Sequence, residues 1–362
     1  MFDRNPRFHQ NMPMKITAGQ STSVMARIVL LVLGLVLLPA TGWAQVSVGL
    51  VGVGDAGNAA DTTGYGSVGY NYSIGTYEVL NSQYAAFLTA VAAADTYNLY
   101  NVSMATDARG GILQSGISGA YTYSVKSGYA NMPVVFVSYY DALRFANWMQ
   151  NGQPTGAQGV GTTETGTYTF AGETVVGGRN SFTTPFYALA SENEWYKAAY
   201  YDQSLNAGSG GYWLYPTRSG AIPGSRTPPS AVANSANFSR DDGIANGFNG
   251  GYAVTQSTVF NNGVNYLSAG GAYSLASSYY GTFDQGGNAT EWSDAGAAGV
   301  IRGGSWATLE GRLRNTIRQP LASGTETYDL SFRIAFIPEP SAVGLISAGF
   351  VVLLLGRRFL RR

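Results

Sequence analysis

Apolar and polar positions follow two periods along this chain, and each change of period marks an element. Val46, Val48 and Leu50 recur at every second residue, as one face of a β-strand does. Gly54, Gly57, Gly64 and Gly66 then break the pattern into turns, and residues 70–78 read as a second strand. Over residues 81–93 the period lengthens, with Tyr84, Phe87, Leu88 and Val91 on one face of a helix. A second helix is predicted after Ser138. Ser138 and Asp141 have the spacing of a capping box, and Ala142, Phe145, Ala146 and Met149 share a face behind it. A third follows Ser191, which forms a box with Glu194 and is trailed by Trp195, Ala198 and Ala199. Residues 151–182 and 203–280 are rich in Gly, Thr, Asn, Ser and Pro, show no sustained period, and read as long loops. There is no internal repeat.

The last part of the body is the most informative. It runs Gly281-Thr-Phe-Asp-Gln-Gly-Gly-Asn-Ala-Thr-Glu-Trp292, then Ile301-Arg-Gly-Gly-Ser-Trp306, then Leu330-Ser-Phe-Arg-Ile-Ala-Phe336. Asp284 and Glu291 bracket the turn at Gly286, Gly287 and Asn288, so that carboxylate and carbonyl oxygens can converge. Gly303 and Gly304 allow a sharp bend beside Trp306. Arg302 and Arg333 sit among apolar neighbours and need partners.

Composition narrows the chemistry. The chain has 362 residues, of which 12% are charged, with 48 Gly and 25 Tyr, in keeping with a secreted protein. Formal net charge is zero, but the ends are basic. Removing Arg4, Arg7, Lys15, Arg27, Asp3 and the four terminal arginines leaves 13 basic and 20 acidic residues, a net of −7. An acidic body argues against nucleic acid as a partner. There is no cysteine, and His9 is the only histidine. Disulfides, thiolate nucleophiles, Ser-His-Asp triads and His-based zinc or iron sites are thereby excluded from the body.

The ends read as sorting segments. A basic start, an apolar core over residues 28–38 and small residues at Gly42 and Ala44 make a secretory signal peptide, with Met25 an alternative start to Met1. At the other end Pro338, Glu339 and Pro340 precede an apolar stretch and Arg357, Arg358, Arg361 and Arg362. This resembles a PEP-CTERM sorting signal, which implies cleavage by an exosortase and only transient membrane contact. The implied destination is the cell surface or extracellular matrix of a Gram-negative-type bacterium.

The body motifs resemble the formylglycine-generating-enzyme (sulfatase-modifying factor) family. The matches are Glu78-Val-Leu-Asn-Ser-Gln-Tyr84, Pro133 to Ala142, Ser191-Glu-Asn-Glu-Trp195, Gly287 to Trp292, Arg302 to Trp306, and Ser331-Phe-Arg333. The resemblance covers residues 70–337. It implies an α+β, C-type-lectin-like fold, loop-rich with few helices and short antiparallel strands. The expected division is 1–44 extension and signal peptide, 45–69 Gly-rich lead-in, 70–337 domain and 338–362 sorting signal. The resemblance also implies structural Ca²⁺, held by Asp284, Gly287, Ala289 and Glu291, with a second site near Asn237, Phe238 and Asp241. The family's enzymes work through a cysteine pair after Gly-Gly-Ser, in the segment that here spans residues 306–318. No cysteine stands there, so no copper or iron chemistry is expected.

Other candidates are weaker. Trp213, Tyr212, Tyr215, Tyr279, Tyr280 and Trp306 are a sugar-stacking set or else core packing. Glu192 and Glu194 have glycosidase-like pairing, but both open a helix, where acids suit the dipole. The expectation is a non-catalytic, exported family member that binds exopolysaccharide or a matrix protein. The alternative is an oxidoreductase-type enzyme with an unrecognised site.

Overall fold

The structure is a computed structural model, and it describes residues 45–182, 184–296 and 298–338. In chain order the elements that position the site are β1 (Leu50–Val53), β2 (Tyr72–Gly75), α1 (Asn81–Val91), α2 (Tyr139–Gln150), β3 (Phe186–Leu189), α3 (Glu192–Tyr200), β4 (Thr290–Asp294), β5 (Gly299–Arg302), β6 (Gln319–Pro320), β7 (Leu330–Phe332) and β8 (Ile334–Ile337). One sheet has the order β1-β2-β8-β3, all antiparallel, with Leu50 opposite Gly75, Ile74 opposite Ala335 and Ile334 opposite Leu189. The other has the order β6-β5-β4-β7, and there β4 and β7 run parallel, Glu291 beside Ser331. Among the described residues helices are few and the remaining strands are short pairs, so the chain has the loop-rich α+β architecture expected.

The predicted helices form for the predicted reasons. Tyr84, Phe87 and Leu88 of α1 are fully buried. Tyr84 and Phe87 pack on each other at 5.4 Å, and the cluster runs on into α2 and β7 through Phe87–Phe145 at 5.4 Å and Phe145–Phe332 at 5.5 Å between centroids. Edge-to-face geometry of this kind adds to the area term. Both capping boxes are present, at Ser138 with Asp141 and at Ser191 with Glu194. Two differences stand out. Helices α2 and α3 are buried almost all round rather than along one stripe, because the long loops cover their outer faces. The stretch expected as a lead-in is built into the domain. It supplies β1, and its loop lies on α3, where Thr63 Oγ1 is 2.8 Å from the Tyr196 hydroxyl and Tyr196 also bonds Asp61.

Candidate functional site

The two sheets are joined at one residue. β7 ends at Phe332, β8 begins at Ile334, and Arg333 between them turns into the interior. A buried guanidinium needs partners for five N–H groups, and Arg333 finds five. Nε and Nη2 each lie 2.6 Å from the Glu291 carboxylate of β4, and the carbonyls of Gly75, Thr76 and Phe283 take the rest. Trp195 Nε1 of α3 donates to Glu291 Oε2 at 2.8 Å. The residues from three motifs thus meet at one buried ion pair that ties α3 and both sheets together.

Two more carboxyls border this pair. Glu78 follows β2 and is buried, with Oε1 accepting from Asn288 Nδ2 at 3.2 Å and Oε2 without a hydrogen-bond partner among the described residues. Burial raises its pKa well above the usual carboxylate range, and the neighbouring Asp284 and Glu291 charges push the same way. Asp284 Oδ2 accepts from Gly271 N at 2.7 Å. Burial raises its pKa to about 6, against the lowering effects of the Gly271 N–H and Arg333.

The expected calcium ligands are close in sequence, and the two carboxylates among them, Asp284 and Glu291, already accept protein donors. Both Glu291 oxygens already serve Arg333 and Trp195. Gly287 N donates to Gly303 O at 3.0 Å, and Asn288 N to Asn237 O at 2.8 Å. A Cβ on Gly287, whose φ is +92°, would run into that same Asn237 carbonyl. Ala289 is buried beside them. Among the described residues no group of three or more Asp, Glu, His or Cys side chains could hold a metal ion. As folded, both Glu291 oxygens face Arg333 and Trp195. The second expected set is divided. Asn237 is buried against Asn288, and Phe238 O accepts from Ser225 Oγ at 2.6 Å, whereas Asp241 caps an exposed turn through Gly243 N. Of the sorting-signal residues, Pro338 is exposed, while Glu339, Pro340, Arg357 and Arg358 lie outside the described residues.

The other candidates resolve into packing. Glu192 pairs with Arg302 at 2.7 Å and Arg318 at 2.9 Å, and Glu194 pairs with Arg179 at 2.8 Å, so neither carboxylate is free for glycoside chemistry. Arg179 comes from the 151–182 loop and also reaches Asp294 at 3.1 Å. Sequence periodicity passes over it, because an irregular loop gives no register by which to place a buried cation. Trp306 is buried in a stack with Tyr266 at 4.6 Å, and Tyr215 belongs to a separate cluster with Phe238 and Leu313. The six aromatics do not form one platform. Arg314 and Arg318 are exposed; Arg314 Nε donates to the Tyr215 hydroxyl at 3.1 Å, and Arg318 pairs with Glu192.

The segment after Ser305 is where the family's chemistry is expected. Gly303 has φ +90°, and a Cβ there would lie 2.5 Å from Gln285 O, so only glycine permits this turn. Beyond it Leu313 is buried, Asn315 Nδ2 donates to Asp61 at 3.1 Å, and Arg302 binds the Ile317 carbonyl at 2.8 Å. Beside the turn opens a pocket of about 260 Å³, lined by Ile301, Gly303, Gly304, Thr308, Arg312, Ile317, Gln319, Leu321 and Asp329 among others. Thr308, Arg312 and Asp329 were not singled out as site residues by the sequence, and the Gly-Gly-Ser bend was the only signal pointing to them.

The structure is similar to the crystal structure of CarF, with 20% identity over 81% of this chain and 98% of that one, at a TM-score of 0.44. It is also similar to Treponema denticola variable protein 1, with 16% identity over 82% and 97% and a TM-score of 0.42. The match to PvdO from Pseudomonas aeruginosa has 18% identity over 81% and 92% and a TM-score of 0.38. No curated protein sequence matches the chain. The sulfatase-modifying factor enzyme 1-like domain (FGE-sulfatase) matches residues 46–337, nearly the whole described body, and the chain belongs to that family.

Proposed function

We propose that this chain is an exported, non-catalytic binding member of its family, acting at the cell surface or in the extracellular matrix. The observation that carries the reading is the segment at residues 306–318. It holds no thiol or imidazole, and Leu313, Asn315 and Ile317 are fixed by packing and hydrogen bonds, yet a pocket stands open beside it. The arrangement can hold a ligand and offers no group to oxidise it. Export is supported by the apolar stretch ending at Ala44 and by the Pro-Glu-Pro tail with its terminal arginines. Among the described residues no helix is long and apolar enough to cross a membrane.

The partner in this reading is exopolysaccharide or a matrix protein, met after an exosortase has removed the tail. The test is binding of the purified protein to the extracellular polysaccharide of the producing cells, first with calcium and then with chelator. Saturable binding is expected, and its loss on chelation would bring calcium into the mechanism. Absence of binding in both conditions would move the function to a protein partner.

A further inference from the structure

The pocket beside Gly303 and Gly304 has a chemistry of its own. At about 260 Å³ it is just under the ~300 Å³ at which small-molecule pockets begin, room for one sugar unit. Ile301, Ile317 and Leu321 supply apolar faces, and no aromatic ring lines it. Three charged groups stand in the lining; Arg302 is already paired with Glu192 at 2.7 Å, which leaves Arg312 and Asp329, of opposite sign. Asp329 is held against the wall, accepting from Ser305 Oγ at 2.7 Å and Thr327 Oγ1 at 3.0 Å. A carboxylate so placed accepts further hydroxyl donors and repels another carboxylate. Arg312 is exposed, and its Nη1 donates to Gln319 Oε1 at 2.9 Å. Among the described residues no carboxylate lies within ion-pair distance of Arg312, nor of the exposed Arg314 two residues on. In a body with a net charge of −7, Arg312 is left without an acidic partner where the pocket opens.

A ligand that satisfies the whole lining carries an anion for Arg312, hydroxyls for Asp329 and a C–H face for the aliphatic wall. A simple anion meets the first requirement and is repelled by Asp329, whereas a neutral sugar leaves Arg312 unused. We propose that this pocket binds a uronic-acid unit of an acidic polysaccharide, its carboxylate on Arg312 and its hydroxyls toward Asp329. The proposal rests on the binding reading above and names the ligand class for it. Guanidinium–carboxylate pairing at an exposed rim is salt-sensitive, so the binding weakens as ionic strength rises.

The experiment titrates the full-length protein with oligogalacturonate, with neutral dextran and with polyglutamate, a polyanion that lacks sugar hydroxyls. Saturable binding of oligogalacturonate alone is expected. Arg312→Gln should weaken it by about tenfold or more, as loss of a charge-assisted hydrogen bond does. Arg312 is exposed, so an unchanged circular dichroism spectrum is expected for that variant. Asp329→Leu should weaken oligogalacturonate without creating affinity for dextran. Equal binding of polyglutamate or dextran, or wild-type affinity in Arg312→Gln, would overturn the proposal. If oligogalacturonate fails while the producer's own matrix is still bound, this proposal falls and the binding function stands. Redox turnover by the protein would remove the binding function itself.

Discussion

Replacing Asp284 by Asn separates the two accounts of the buried carboxyl cluster, one with Arg333 as its cation and one with a metal. An aspartate in an unfolded chain titrates near 3.9, and the folded Asp284 near about 6. Between those values the folded state keeps a proton that the unfolded chain has released. Stability therefore falls as pH rises from about 4 to about 6, and the loss persists above that range. Two pH units correspond to about 3 kcal/mol, and because the side chain is only half-buried, solvent screening reduces this to about 1–2 kcal/mol. Asparagine abolishes the ionisation, keeps an acceptor for Gly271 N, and tolerates the left-handed backbone at φ 62°. In chelator at pH 8 the variant should be more stable than the natural protein by about 1–2 kcal/mol, and at pH 4.5 that difference should shrink to about a third. Urea denaturation followed by tryptophan fluorescence reads both. A variant less stable at pH 8 in chelator, or an equal difference at both pH values, refutes the reasoning. Stability lost by the variant only when calcium is added would show Asp284 serving a bound cation.

Three further perturbations test the frame around the site. Arg333→Met leaves the buried Glu291 charge without its counter-ion and takes a donor from three carbonyls, so it should cost about 3–5 kcal/mol in a denaturant titration, with Arg333→Lys recovering little of it. Gly287→Ala drives a Cβ into the Asn237 carbonyl from a left-handed backbone, and it should cost more than about 1 kcal/mol or abolish soluble expression. Ser138→Ala and Ser191→Ala each remove a helix cap, and each should lower stability by about 1 kcal/mol in the same titration.

The parts legible in the sequence are those fixed by local physics. The α1 stripe of Tyr84, Phe87, Leu88 and Val91 and the capping boxes at Ser138 and Ser191 depend on residues within one or two turns of each other, and they form as read. The expectation that Arg302 and Arg333 need partners also holds, since a cation among apolar neighbours cannot stay alone. Which acids answer them was not legible. Glu291 is 42 residues from Arg333 and Glu192 is 110 from Arg302, and no period links them. The same distance problem hid Arg179, whose partners Glu194 and Asp294 lie on α3 and β4 while it sits in a loop without register. It also hid the cation that Glu291 faces: local spacing showed that oxygens could gather at the Gly287 turn, and tertiary packing brought Arg333 to the Glu291 carboxylate. The pocket is legible only through the glycines that bend the chain beside it.

The central claim is that this member of the family binds without catalysing. Dioxygen uptake tests it most directly, using the full-length protein loaded with copper(I) or iron(II) and supplied with a thiol reductant and a cysteine-containing peptide. With no cysteine anywhere and His9 the only histidine, uptake should equal that of metal and reductant without protein. Sustained uptake above that background, rising in proportion to protein concentration, would contradict the account.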